Sequence, residues 1–298
     1  MKYSNKNLFI DGLKVESLAR EYSTPLYCYS LKKIKENISN FKKNFKNINS
    51  LTCFAVKANP NRVLLKEIGK LGLGADVVSI GELMKALKSG IKPNKIVFSG
   101  VGKTSEEINF AIQKKILLIN AESKSEVFEI NRIAKLKRRK VFIGIRINPN
   151  TDAKTLSQIS TGKKENKFGV NHKTLIELVN YCKNSKNIKL KCLSVHIGSQ
   201  ILDYRPYEKM LKVLDKILNK IDHKFEFIDL GGGMGISYTD KTKKLNYKKY
   251  NIAIKKFLKK HYSKIIFEPG RSIIGNTGIL ISKIVYIKKS EKKNFIIL

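Results

Sequence analysis

The chain of 298 residues is poor in several of the features that would fix its class at once. It has four cysteines, Cys28, Cys53, Cys182 and Cys192, and no two of them form a C-x-x-C pair. That spacing argues against a thiolate metal site or a disulfide framework, and suits small buried hydrophobes in a reducing compartment. No run reaches the ~18 consecutive apolar residues that a membrane span requires. The segment from Met1 to Gly12 holds no apolar signal core. These absences predict a soluble, cytoplasmic protein with no membrane partner. Arginine is scarce, with 8 against 52 lysines. The net charge of +36 would ordinarily suggest nucleic acid. Arginine, however, supplies the planar forks that bases and phosphates select, and the lysines spread along every predicted helix. No specific nucleic-acid partner is expected, although weak binding at low salt is.

Nucleotide-binding loops are lacking too. Ser99-Gly100-Val101-Gly102-Lys103-Thr104 resembles the end of a P-loop, but the glycine required five residues before Gly102 is Val97. Ser160-Thr161-Gly162-Lys163-Lys164 fails in the same way. After Gly231 and Gly233, the third glycine of a dinucleotide fingerprint is replaced by Ile236.

What is present is a regular alternation of apolar runs and helix-period segments. The runs are Leu51–Val56, Ala75–Ser79, Lys95–Ser99, Ile116–Asn120, Val141–Ile147, Leu190–Ile197, Phe225–Leu230 and Lys264–Glu268. Helical patterns lie between them, and a further one, Lys32–Phe45, precedes the first. Eight β units with crossover helices predict an α/β protein built on a closed (β/α)8 barrel of the TIM type, over residues 28–271. The two ends, 1–27 and 272–298, read as parts of a second, mostly β domain that is incomplete. Its last strand-like pieces are Gly278–Lys288 and Asn294–Leu298. The long irregular stretch is Asn148–Val170, a length at which loops are usually functional or disordered.

In such barrels chemistry gathers where strands end. Here those positions hold Lys57, Asp76, Ser99-Gly100, Asn120, Arg146, His196 with Ser199, Gly231-Gly232-Gly233, and Glu268-Pro269-Gly270-Arg271. Lys57 could lose its proton and attack a carbonyl, or could be a structural lysine paired to Asp76 or Glu268. The glycine run could turn several backbone N–H groups toward one anion, or could serve a tight turn. His196 could stack on a flat ring, or be a satisfied core histidine. Glu268 could hold a protonated ring nitrogen and Arg271 an anionic group, or the two could pair with each other. An amine for an imine, an imidazole, a phosphate loop and a carboxylate for a ring nitrogen jointly describe pyridoxal 5′-phosphate chemistry.

At these residues the chain resembles the meso-diaminopimelate decarboxylases, of the alanine-racemase-like pyridoxal-phosphate fold. The matching stretches include Phe54–Asn59, Gly74–Ser79, Ser99–Thr104, Arg146–Pro149, Ile159–Lys163, Asn166–Gly169, His196–Gln200, Leu230–Gly233 and Glu268–Arg271. The resemblance implies that Lys57 carries the cofactor covalently and that His196 stacks on its face. Ser199, Gly232 and Gly233 would serve the phosphate and Glu268 the pyridine nitrogen. Arg271, with Pro269 and Gly270 beside it, would help to hold substrate and cofactor. The loop around Asp152–Phe168 resembles diaminopimelate enzymes more than ornithine or arginine ones. The implied reaction is decarboxylation of meso-2,6-diaminopimelate to L-lysine, in a homodimer. The alternatives are another basic amino acid as substrate, or a barrel that binds the cofactor without turnover. Family members continue beyond the position of Leu298, with a further arginine, a cysteine that acts across a dimer interface and a tyrosine. The chain is therefore expected to be a C-terminally truncated form.

Overall fold

Sequence periodicity and architecture agree closely in the computed structural model, which describes residues 2–150, 167–239 and 244–298. Most of the Asp152–Phe168 loop, and all of Ser160–Lys164 and Ile159–Lys163, lie outside the described residues. The chain starts with an antiparallel sheet of β1 (Lys2–Ser4), β2 (Asn7–Ile10) and β3 (Leu13–Lys14). There follow α1 (Val15–Tyr22), β4 (Leu26–Tyr29) and α2 (Leu31–Phe45). The repeating part then runs β5 (Ser50–Ala55), α3 (Arg62–Lys70), β6 (Gly74–Val77), α4 (Ile80–Lys88), β7 (Ile96–Phe98) and α5 (Ser105–Gln113). It continues with β8 (Leu118–Ala121), α6 (Lys124–Leu136), β9 (Val141–Ile147), α7 (His172–Lys183), β10 (Ile188–Val195) and α8 (Arg205–Leu218). It closes with β11 (Phe227–Asp229), α9 (Tyr247–Leu258) and β12 (Lys264–Phe267), before a short α10 (Arg271–Ile274).

Strands β5 to β12 pair in chain order, all parallel, and β12 closes on β5 with Phe267 opposite Thr52. This is the expected eight-stranded barrel. Its strands are buried on both faces, which is why they read as apolar runs rather than as alternation. Polar residues set the helix starts. Ser30, Asn61, Ser79, Thr104, Ser123 and Asn171 cap α2 through α7, and Asn246 caps α9, each accepting a bond from a first-turn amide. At α5 Glu107 reaches back to the Thr104 amide and completes a capping box.

The structure differs from expectation at the chain ends. The single run Gly278–Lys288 is two strands, β13 (Gly278–Ile281) and β14 (Tyr286–Lys289). β13 pairs antiparallel with β4, whereas β14 folds onto β15 (Asn294–Ile297). The two ends of the chain thus meet in one ladder. Strand β4 runs through residue 28, where the barrel was expected to begin, with Tyr29 opposite Gly278.

Two packing regions hold the barrel. Outside, helices cover the strands. β12 is followed only by the short α10, and α2, which precedes the first barrel strand, packs there instead. Its Phe41 and Phe45 rings lie 5.6 and 4.6 Å from Phe267, and Phe45 also meets Tyr247 and Tyr250 edge-on. Inside, side chains alternate along each strand. A lower apolar layer contains Cys53, Val97, Leu118, Cys192, Phe227 and Ile266. Two residues further along five of these strands stand Ser99, Asn120, Ser194, Asp229 and Glu268, all buried. Gly74 and Gly144 take the corresponding lower places on β6 and β9, against Cys53 and Cys192, with Asp76 and Arg146 two residues on. The barrel is an apolar plug with a polar layer directly above it.

Phe267→Ala removes the ring at the centre of the aromatic seam. It should cost about 3–5 kcal/mol in urea-denaturation stability, as buried phenylalanine truncations do. A loss under about 1 kcal/mol would show that α2 does not depend on this contact.

Candidate active site

The polar layer opens into a cavity of about 230 Å³ at the C-terminal ends of the strands. Its wall includes Lys57, Asp76, Ser99, Gly100, Arg146, Phe168, Ser194, His196, Ser199 and Glu268. The C-terminal ends of six of the eight barrel strands and the Phe168 segment thus contribute to one small space, which gathers Lys57, Asp76, Ser99, Gly100, Arg146, His196, Ser199 and Glu268 from the residues singled out in the sequence. Gly232, Gly233, Pro269, Gly270 and Arg271 stand behind this wall rather than in it. Asn120 lies just below, and its side-chain amide donates to Asp229 Oδ2 at 3.0 Å.

Lys57 was expected at the end of a strand and sits instead in a short 3-10 turn, Val56–Ala58. The ladder between β5 and β6 ends with Ala55 opposite Asp76. Pro60 holds Asn59 in an extended conformation, so the turn cannot grow into a helix. The lysine side chain is half exposed, and its Nζ lies 3.8 Å from Oδ2 of the buried Asp76. That is an ion pair, but too long for a hydrogen bond.

Three carboxyl groups share the floor. Burial pushes the Asp76 carboxyl up, and Lys57 opposes the shift. Asp229 accepts bonds from Asn120, from the Ser194 hydroxyl at 3.2 Å and from the Gly231 amide at 2.9 Å. Burial nevertheless raises its pKa to about 6. Glu268 is pushed well above the usual carboxylate range, first by burial and then by the charges of Asp229 and Asp76. Its Oε1 and both oxygens of Asp76 are buried without a hydrogen-bond partner. Groups of this kind normally find partners, and these point to something that binds against them.

His196, one residue beyond β10, is held well below its ordinary pKa by burial, with Arg146 and Lys57 adding to the effect. The Gly232 amide donates to Nδ1 at 3.2 Å, which assigns the ring proton to Nε2. The imidazole is therefore a neutral, oriented plate. The glycine run packs between neighbouring backbones. A Cβ on Gly232 would stand 2.1 Å from the Glu268 carbonyl oxygen. One on Gly233, whose φ is +85°, would stand 2.2 Å from that of Gly198. Side chains are excluded here by contact with the loops that carry Glu268 and Ser199. Gly270 performs a similar service, as its α-carbon faces Ala55 and Ala58 and seats the turn after Glu268 against the Lys57 turn. Arg271 donates to the Tyr238 hydroxyl at 2.6 Å.

A phosphorylated pyridine aldehyde needs an amine, a flat face, a carboxylate for its ring nitrogen and a side-chain-free backbone loop. Lys57, His196 and the bare Oε1 of Glu268 meet the first three needs in the cavity, and the Gly231–Gly233 turn packs against the loops that carry Ser199 and Glu268, so the residues fit such a group. Sequence reasoning passed over Asp229 and Glu122. The available signal for Asp229 was one charged residue inside the apolar run Phe227-Ile228-Asp229-Leu230. Glu122 lies one residue beyond β8, where a carboxylate reads equally well as part of the next helix cap.

Residues 31–275 match the family model described as pyridoxal-dependent decarboxylase, pyridoxal binding domain. The chain is 40% identical over 300 residues to a diaminopimelate decarboxylase of Aquifex aeolicus, covering all of this chain and 71% of that one. It is 46% identical over 286 residues to one of Helicobacter pylori, covering 95% and 70%. The crystal structure of the Helicobacter pylori enzyme complexed with L-lysine superposes with a TM-score of 0.90 at 43% identity, over 95% of this chain and 72% of that one. The corresponding M. jannaschii enzyme, also in complex with L-lysine, gives 0.91 at 33% identity, over 99% and 72%.

The raised carboxyl of Asp229 makes a signed prediction. A pKa of about 6 in the folded state, against about 4 in the unfolded chain, means that the fold binds the proton more tightly. The resulting stability is present below pH ~4 and lost as pH rises to ~6. The cofactor-free protein should therefore lose stability relative to Asp229→Asn across that window, by about 3 kcal/mol at most. Urea titrations of both proteins at a series of pH values measure this. A difference that is flat or rises with pH would count against a protonated Asp229.

Proposed function

The chain belongs to the diaminopimelate decarboxylases, within the pyridoxal-dependent decarboxylases, and from that premise we propose that it binds pyridoxal 5′-phosphate in this cavity and converts meso-2,6-diaminopimelate to L-lysine and CO₂. The observation that carries the reading is the buried, unpartnered Oε1 of Glu268 in the same small cavity as the Lys57 amine. The cofactor-binding barrel falls within residues 28–271, and 1–27 with 272–298 contribute to a second, β-rich part that β4 joins through residue 29.

Lys57 holds the cofactor through its ε-amine, and His196 supplies the face against which the ring lies. Ser199 and the Gly232–Gly233 turn would take the phosphate, with Gly233 offering the amide, because that of Gly232 is held by His196 Nδ1. Once bound, the cofactor supplies an electron sink for the bond to the departing carboxylate. Glu268 governs how deep that sink is. Burial and the charges of Asp229 and Asp76 raise its pKa, and its carboxyl group would be the partner of the ring nitrogen. A carboxylate at Glu268 paired to a protonated ring nitrogen would favour the charged form of both. The turn Pro269-Gly270 fixes Glu268 against β5, since the Ala55 amide donates to the Pro269 carbonyl at 3.2 Å. Arg271 follows Glu268 by three residues and suits an anionic group of substrate or cofactor. The reading includes a cytoplasmic location, which four free cysteines suit, and a homodimer.

Addition of pyridoxal phosphate should produce the visible absorbance of a protonated imine. Borohydride reduction and peptide mapping should then place the label on Lys57, and Lys57→Ala should abolish the band. A label on any other lysine would overturn the assignment. Glu268→Gln keeps the size of the side chain and removes its charge. In a chain completed with the C-terminal segment of a relative, it should lower kcat for lysine formation at least ~100-fold, about 2.7 kcal/mol of transition-state stabilisation. A kcat within a few-fold of the parent would remove Glu268 from the mechanism.

A further inference from the structure

Glu122 stands outside the cavity wall, yet it bonds to three separate pieces of it. Its side chain is 2% exposed. Oε1 accepts from Arg146 Nη1 at 2.9 Å and from the Gly100 amide at 3.1 Å, and Oε2 accepts from the Gly169 amide at 3.0 Å. Arg146 and Gly100 line the cavity directly, and Gly169 follows Phe168, which also lines it. The Arg146 guanidinium lies over the Phe168 ring, 4.7 Å from its centre. One carboxylate thus joins the loop after β7, the end of β9 and the segment that returns to β9 through the Val170 amide, bonded to the Arg146 carbonyl at 2.9 Å.

The carboxylate is itself anchored. Its backbone amide donates to Glu126 Oε2 at 2.8 Å. The other Glu126 oxygen pairs with Lys103, a lysine 1% exposed that also donates to the Gly100 and Asn120 carbonyls. Lys103 and Thr104, which imitate a P-loop in sequence, are thus accounted for structurally: one buries its ammonium under the cavity rim and the other caps α5.

We propose that Glu122 is a positioning residue for the cavity, holding the Arg146 cation and the Phe168–Gly169 wall in the arrangement that receives the cofactor. The inference rests on the reading of the cavity as a pyridoxal-phosphate site. Arg146 is a buried cation beside Lys57, Asp76 and His196, and its charge contributes to keeping His196 neutral and to opposing the upward shift of Asp76. Loss of Glu122 leaves that cation without its buried counter-charge and strips two glycine amides of their acceptor. A guanidinium so released can turn toward the remaining carboxylates, and the wall it stacks against goes with it.

The test is a double-mutant cycle read by cofactor affinity, with no turnover involved. Pyridoxal phosphate is titrated, with the imine absorbance as readout, into the parent protein, Glu122→Ala, Arg146→Ala and the double variant, each checked for folding by circular dichroism. Glu122→Ala should weaken binding tenfold or more. In the Arg146→Ala background the same change should weaken it by less than threefold further. A loss below threefold in the single variant, or losses that multiply in the double one, would overturn the role of Glu122. Should Glu122→Ala not fold, Glu122→Gln carries the same test, because its NH₂ must oppose one of the three donors. A parent protein that takes up no cofactor overturns the functional reading itself, whereas a parent that binds while Glu122→Ala binds equally well overturns only this inference.

Discussion

Three carboxyl groups buried in one layer, Asp76, Asp229 and Glu268, impose the constraint around which the molecule is arranged. Each would rather be in water; Asp76 makes Asp229 and Glu268 harder to ionise, and Asp229 does the same to Glu268. A polar layer of this kind persists only if the surrounding frame prevents it from opening to solvent. The closed ladder from β5 to β12 supplies that frame, and the apolar layer below denies water a route from the other end. The strain of the layer is then available for binding, because a cation or ring nitrogen arriving at Glu268 relieves a cost that the fold already bears.

The glycines and the buried ion pairs solve a second problem, that of bringing many loops to one point. The loops carrying His196, Ser199 and Glu268 converge on Gly231–Gly233, where any β-carbon would collide with backbone. On the opposite side, Glu122 and Glu126 gather loops by accepting from amides and from the cations Arg146 and Lys103. Close approach thus comes from missing side chains on one side of the cavity and from charge on the other.

Much of this was legible in the chain itself. Parallel strands buried on both faces leave apolar runs, so all eight barrel strands and the helices between them could be located to within a few residues. The polar residues that end those runs marked the cavity, because an apolar strand has little reason to finish in Lys57, His196 or Glu268. What stayed hidden had a physical cause in each case. Asp229 lies inside a strand and could have faced either way. Glu122 looked like helix-cap sequence, since its bonds run to Gly100, Arg146 and Gly169, far away along the chain. The 3-10 turn at Lys57 depends on where the β6 partner stops, which no local pattern states. The pairing of β4 with β13 joins segments some 250 residues apart and leaves no periodic trace.

The sequence by itself determined the alternation of strands and helices, the position of the catalytic end and the chemical types gathered there, because burial period and side-chain chemistry are local properties. Only the tertiary structure decided which groups lack partners, which are shifted in pKa and which bear on one another. Those properties depend on distance and on exclusion of water, and both arise when the last strand closes on the first. Until Phe267 lies beside Thr52, Glu268 is an ordinary glutamate near the end of a chain. Once it does, the same residue is a buried acid with a raised pKa and a bare oxygen in a lysine-bearing cavity.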